Sequence, residues 1–360
     1  MRFFTAGESH GRGLLALLDG FPAGIVVDTS VIDSDLRRRQ GGYGRGARQK
    51  IETDTVELLT GICRGITTGA PITLWVKNKD YRIDEMPLLN RPRPGHADLA
   101  GAITFGQGIR PVLERSSARE TAARVAAGGL CRQLLTLHSI RVVGYVLSIG
   151  NVDLRPDNIG QLTFDELLSR RDNSELYSAA PERDAAAKNA IDKCKEDGDS
   201  LGGVIEVRID GVPFGLGSCM QWDKRLDGLL AQAVMSVQAI KGVEIGLGFE
   251  SANQRGSKVH DPIIFDTALE NTAHRGFVRS TNNAGGIEGG MSNSEPIIIR
   301  AAMKPIPTMT TPLPSVDLTT HQPTKAEYER SDVCAVSAAS VVVEAAAIIA
   351  LATALVESLP

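Results

Sequence analysis

Aromatic residues make up only 4% of this 360-residue chain, and their scarcity removes one class of function at the outset. Proteins that grip single-stranded nucleic acid stack its bases on aromatic side chains, and the arginine-rich stretches here have little aromatic interleaving. A strong charge of one sign is also missing. The formal net charge of -4 argues against a generalist nucleic-acid binder, so each arginine cluster must be read locally. Cysteine is sparse: Cys63, Cys131, Cys194, Cys219 and Cys334 are odd in number and never closely paired. Such spacing offers neither a zinc site nor a disulfide frame and fits a reducing cytoplasm. No room for a signal or transit peptide is expected ahead of the motif that begins at Gly7. Fixed-period repeats, a Rossmann fingerprint and a P-loop are all lacking. One apolar run, Val333 to Val356, has the length of a membrane span. Glu344 sits at its middle and no aromatic or basic anchors flank it, so a buried core helix is expected.

What the chain does have is arginine in unusual settings. Glu114 to Gly128 contains Ser117 followed three residues later by Glu120, a capping-box pattern that marks a helix start. A helix N-terminus presents free N–H groups and a positive dipole end. Arg115 and Arg119 flank it with forked donors suited to phosphate or carboxylate. A second concentration runs from Arg37 to Arg48, where Arg37, Arg38, Arg39, Arg45 and Arg48 surround flexible glycines. Such forks can hold several anionic groups at once.

Periodicity outlines the elements. Strands are expected at Arg2–Thr5, Leu14–Leu18, Ile25–Asp28, Ile72–Val76, Val142–Ile149, Gly203–Val212, Val243–Phe249 and Ile297–Met303. Helices are expected up to Arg39, capped by Ser30 or Ser34, from Ser117 to about Leu137, around Ala185–Lys195, over Lys224–Val237, and from near Ser331 to the end. Arg115-Ser116 and Arg330-Ser331 each precede a long Ala/Val-rich helix.

Chemistry has four further candidate places. His10 lies in a glycine turn, where its ring can approach a ligand. His96 lies in Arg93-Pro94-Gly95-His96-Ala97-Asp98, on a backbone that prolines stiffen and beside an arginine. The glycine-rich Asn282 to Gly290 can bring backbone amides against a flat cofactor. Asp332 can place a base beside an anion site. His138, His260, His274 and His321 have no partner spacing and read as structural. No metal site is indicated. These residues describe an enzyme or binder for a polyanionic small molecule, including a phosphate lyase working by ordinary acid–base chemistry or a non-catalytic anion- or RNA-binding protein.

In order along the chain, Gly7–Gly11, Arg37–Asp54, Arg93–Asp98, Glu114–Gly128, Lys241–Gly246, Asn282–Asn293 and Arg330–Val336 closely resemble the chorismate synthase family. The resemblance covers nearly the whole chain. It implies one α+β domain over residues 1–360, a β-α-β sandwich with central helices between antiparallel sheets, usually assembled as a homotetramer. The implied reaction is a 1,4-elimination that removes phosphate from C3 and a proton from C6 of 5-enolpyruvylshikimate 3-phosphate, giving chorismate. Reduced FMN is the implied cofactor, without net redox change. With no nucleotide fingerprint, an external source of reduced flavin is expected, NADPH entering only as an indirect reductant.

Position by position, His10 resembles the histidine near flavin N1, His96 the one at the leaving phosphate, and Asp332 the carboxylate that assists proton removal. Arg39, Arg45, Arg48, Arg93, Arg119 and Arg330 would serve the substrate's anions. Arg115, Ser116, Ser117, Gln238, Ala239, Gly289, Lys304, Pro305, Ile306, Pro307, Thr308 and Arg330 match flavin-contacting positions. The chain departs from the family pattern at Gly106–Pro111, where relatives often carry acidic residues and a longer loop, and at Ser294, where glycine is usual.

Overall fold

The computed structural model describes residues 1–45, 53–329 and 331–358; Arg48 and Arg330 lie outside them. Strands β1 (Arg2–Gly7), β2 (Gly13–Asp19) and β3 (Val56–Thr60), a small hairpin of β4 (Ile62–Cys63) and β5 (Ile66–Thr67), and β6 (Ile72–Lys77) come from the first quarter of the chain. Four of them form an antiparallel sheet in the order β1-β2-β6-β3. A second antiparallel sheet uses β7 (Arg141–Ile149), β8 (Val152–Asp153), β9 (Gly203–Asp210) and β10 (Ile240–Ile245), together with Ile297–Met303. That last strand lies between β10 and β9.

Helices α1 (Thr29–Gln40), α2 (Asp98–Phe105), α3 (Ile109–Ser116) and α4 (Thr121–Leu137) follow in order, and Val336–Ser358 forms the C-terminal helix. Helix α4 packs on β2 and β6, the C-terminal helix packs on β7 and β9, and the two helices pack on each other. Two helices between two antiparallel sheets is the expected sandwich. Their close approach depends on small side chains: a Cβ at Gly128 would stand 2.6 Å from the Ala345 Cβ. The most apolar stretch of the C-terminal helix is 83% buried within the fold, as a core helix requires.

Several local expectations give way. Ile25–Asp28 is no strand; Val26 makes one isolated bridge to Ile66. Asp28 instead caps α1, accepting from the Ser30 N–H at 2.8 Å, so the cap lies two residues ahead of the serine. Strand β10 stops at Ile245 because Gly246 and Gly248 take positive φ values of 61° and 56°. The stretch over Lys224–Val237 divides into a 3-10 turn, Trp222–Lys224, and a helix, Leu226–Met235. The final helix begins at Val336, not Ser331.

Both departures from the family pattern have a local reason. Gly106 ends α2 at φ 65° and Gly108 opens α3 at φ 78°, which makes the link between them tight. Ser294 has φ 70°, a conformation that favours glycine; its hydroxyl is held by His274 Nδ1 at 3.0 Å.

Candidate active site

A cavity of about 440 Å³ opens where α1, the start of α4 and the C-terminal helix converge, a size typical of small-molecule sites. His10 reaches it from the β1–β2 turn. Gly7 makes that turn possible: its φ is 100°, and a Cβ there would stand 2.3 Å from the Gly13 carbonyl oxygen. Asn78, fully buried, donates from Nδ2 to the carbonyls of Glu8, Ser9 and Gly11 at 3.1, 3.2 and 2.8 Å. Its Oδ1 accepts from Arg119 Nε at 2.9 Å. One side chain therefore fixes both the His10 turn and an arginine of the site.

The Glu114–Gly128 segment is built differently from its sequence pattern. Helix α3 ends at Ser116, Ser117 caps a 3-10 turn by accepting from the Arg119 N–H at 3.3 Å, and α4 starts only at Thr121. Glu120 does not complete a capping box; it accepts from Thr5, Gln238 and Arg124. Ser116 and Ser331 each stand five residues ahead of a central helix, and both line the cavity. The two serines thus mark the two helix approaches to one site.

Arg39, Arg45, Arg93 and Arg119 all line the cavity. Buried Asp54 accepts from Arg119 Nη1 at 2.8 and 2.7 Å and lies 3.7 Å from Arg39 Nη1. Arg45 Nη1 donates to Asp332 at 2.5 Å. Burial brings Arg39 down to about 10, with Arg119 and Arg45 adding to that effect and Asp54 opposing it. It remains cationic at neutral pH, in a pocket crowded with positive charge. That is what a polyanionic ligand requires.

Each histidine of the site is held by a carboxylate. His96 Nδ1 lies 2.6 Å from Asp98 Oδ1, and the same carboxylate accepts from Arg93 Nε and Nη2 at 2.8 and 3.0 Å. Burial pushes the Asp98 carboxyl up, but the bonds from His96 and Arg93 outweigh it and hold the group well below the usual range. His10 Nδ1 lies 3.0 Å from both oxygens of Glu114. Burial likewise raises Glu114, and the His10 ring and backbone N–H more than reverse it.

Apolar side chains, among them Val237, Met303, Ile306 and Val342, line the remainder with Ala239, Pro307 and Thr308. Among the described residues, four buried polar atoms of lining side chains have no hydrogen-bond partner: Arg39 Nη1, Arg45 Nε, Ser116 Oγ and Gln238 Oε1. Leaving such atoms buried and unpaired costs about 1–3 kcal/mol each, so their convergence marks a place built for a ligand.

The structure thus brings His10, His96, Asp332, the four described arginines, Ser116, Ser117, Gln238, Ala239, Lys304, Ile306, Pro307 and Thr308 to one cavity. Three expected residues stand apart from its lining. Arg115 is exposed and turns its guanidinium to the Thr5 and Gly7 carbonyls. Gly289 is exposed in the turn between short strands Ile287–Glu288 and Met291–Ser292, and Pro305 contributes nothing to the lining although its neighbours do. Nor does any residue of Asn282–Gly290 reach the cavity. His138, His260, His274 and His321 also lie away from it. Sequence reasoning gave no role to Ser9, Asp54 or Glu114, although they fall within the matched motifs, nor to Asn78 and Glu329. Asp98 was already in the His96 motif as quoted, but the pairing of residue 10 with residue 114 has no signal in sequence spacing.

Comparison with known proteins covers nearly the whole chain. The family model for chorismate synthase matches residues 1–356. A chorismate synthase of Desulforamulus reducens is 52% identical over 99% of this chain and 94% of its own length. One of Aquifex aeolicus is 50% identical over 100% and 93%. A crystal structure of a chorismate synthase superposes with a TM-score of 0.81 at 44% identity, covering 99% of this chain and 92% of the other. The cavity, ringed with arginines and drawn from both ends of the sequence, is the candidate active site of a lyase, and the chain belongs to the chorismate synthase family.

Proposed function

We propose that this chain removes phosphate from 5-enolpyruvylshikimate 3-phosphate by 1,4-elimination to give chorismate, with reduced FMN bound in the same cavity and no net redox change. This reading puts it at the last common step of the shikimate route to aromatic amino acids. The observation that carries it is the set of buried lining atoms that make no hydrogen bond to any described residue. Two of them, Arg39 Nη1 and Arg45 Nε, are donors suited to anions. The other two, Ser116 Oγ and Gln238 Oε1, suit a heterocycle that presents both N–H and carbonyl groups beside an apolar wall. The residues present therefore fit a flavin.

The flavin would be held by Ser116, Ser117, Gln238, Ala239 and the Lys304–Thr308 turn. When bound, reduced FMN supplies an electron that is returned within the same turnover. The substrate carries two carboxylates and a phosphate, and Arg39, Arg45, Arg93 and Arg119 neutralise and orient them. His96, whose Nδ1 lies 2.6 Å from Asp98, would interact with the leaving phosphate. Asp332, oriented by Arg45, assists removal of the proton from C6. His10 would hydrogen-bond or protonate the flavin. The apolar side chains exclude water and strengthen these interactions.

The protein is further proposed to be a cytoplasmic homotetramer, drawing reduced flavin from an external source. Five free cysteines and exposed apolar side chains such as Leu88, Trp222 and Phe249 support the location and the assembly. The test is anaerobic conversion of the enolpyruvyl substrate with and without dithionite-reduced FMN. Chorismate should form only with the reduced flavin. Equal turnover in air without reductant would instead establish an ordinary acid–base lyase.

A further inference from the structure

Glu114 is among the most buried charged side chains of the described residues, at 1% exposure, and stands behind the cavity lining rather than in it. Its two oxygens make their shortest bonds to one residue. Oε2 accepts from the His10 backbone N–H at 2.8 Å, and both oxygens lie 3.0 Å from His10 Nδ1. The Glu114 carbonyl meanwhile accepts from the Ser9 N–H at 2.9 Å. Arg110, one turn earlier on α3, approaches Glu114 only at 3.4 Å; its other nitrogens go to the Pro87 carbonyl at 2.9 Å and to Glu329 at 3.0 Å. The strong bonds of the buried carboxylate thus go to His10.

An ionised carboxylate can only accept, so the proton between the two groups sits on Nδ1. Nε2 takes no hydrogen bond from any described residue, and the ring lines the cavity. We propose that Glu114 is a positioning residue that fixes His10 in one ring orientation with Nδ1 protonated and directs Nε2 at the ligand. Histidines whose second nitrogen is tied to a carboxylate keep both tautomer and orientation, and loss of that tie disables an otherwise intact ring. Arg110 and Glu329 extend the arrangement: Glu329 lines the cavity three residues before Asp332, so the chain leading to Asp332 is tied to the helix that holds His10.

The assignment of Nδ1–H rests on geometry alone, and only its catalytic consequence rests on the function proposed above. Its test is therefore read first in the protein without flavin or substrate. Long-range ¹H–¹⁵N spectra at neutral pH, with the His10 signals assigned by their loss in His10→Gln, should show a protonated Nδ1 in the wild type. In Glu114→Gln the acceptor-only carboxylate is gone, and the spectrum should change to a mixture of tautomers or to Nε2–H. Glu114→Asp should restore part of the wild-type pattern. A wild-type His10 protonated at Nε2 alone, or an unchanged spectrum in Glu114→Gln, would overturn the proposal. If Glu114→Gln does not fold, the wild-type spectrum still decides. In turnover, Glu114→Gln should lower kcat by about 100-fold, on the scale of a misplaced acid–base group, and leave KM for the enolpyruvyl substrate within a few-fold. A loss confined to KM would make Glu114 a binding-site support instead. If the spectra agree and no chorismate is formed by the wild type, the function has failed and the tautomer assignment stands.

Discussion

Glu344→Gln tests the reasoning about the centre of the molecule. Glu344 is fully buried in the C-terminal helix and is met by Arg38, Arg132, Arg171 and the Gly144 N–H. Asp35 also accepts from Arg38 and Arg132, at 2.8 and 3.1 Å, while Arg171 has a second carboxylate partner in half-exposed Asp172. Three guanidiniums are thus balanced mainly by Glu344 and Asp35. Glutamine preserves volume, so no cavity opens and the loss is electrostatic. It also sets an NH₂ group against donors, because the amide has one oxygen where the carboxylate used two. Breaking a buried pair in this way costs about 3–5 kcal/mol. Burial raises the Glu344 carboxyl, but Arg38, Arg132 and Arg171 override it and hold the group far below its ordinary 4.5. A carboxyl depressed by folding stabilises fully above its unfolded value and loses that contribution as pH falls toward its folded one. In urea unfolding, the gap between wild type and variant should therefore stay constant between about pH 6 and pH 8 and narrow below about pH 4. A gap under ~1 kcal/mol at pH 7, or one that widens on acidification, would refute the argument.

His10→Ala and Asp332→Asn should each lower turnover by about 100-fold or more while the thermal unfolding midpoint stays near that of wild type, and near-normal rates in either would remove that residue from the mechanism. Arg119→Ala should weaken substrate or flavin binding by about 10-fold or more, measured by titration, since bonds to charged groups contribute about 1.5–3 kcal/mol. It should also lower stability, because among the described residues Asp54 would keep only the more distant Arg39; unchanged affinity for both ligands would dismiss the anion site.

Much of the fold was readable because its signals are local. Ile297–Met303 follows its apolar run to the residue, and β2, β6, β7 and β9 fall within two residues of expectation, because alternation reports one buried face directly. Helix starts were less legible. Ser30, Ser34 and Ser117 all look like caps by composition, yet α1 is capped by Asp28 and α4 begins four residues after Ser117. A cap depends on where the preceding chain enters, and composition does not report that. Val56–Thr60 escaped notice because it is an edge strand with little burial, so its pattern is weak.

The site divides along the same line. By itself the sequence determined which groups were available: arginines for a polyanion, two histidines in glycine or proline turns, an aspartate ahead of an apolar helix, and a family pattern running through them all. Tertiary structure decided which of them meet. It directed Arg115 to β1 and left Gly289 on a surface turn. It joined His10 to Glu114, 104 residues away, and Arg119 to Asp54, 65 residues away. It also left Ser116 Oγ and Gln238 Oε1 unpaired on one wall. Residue types fix what a side chain can donate or accept, whereas its partner is set by the packing of α4 and the C-terminal helix between two sheets. Those long-range contacts have no local period from which they could be read.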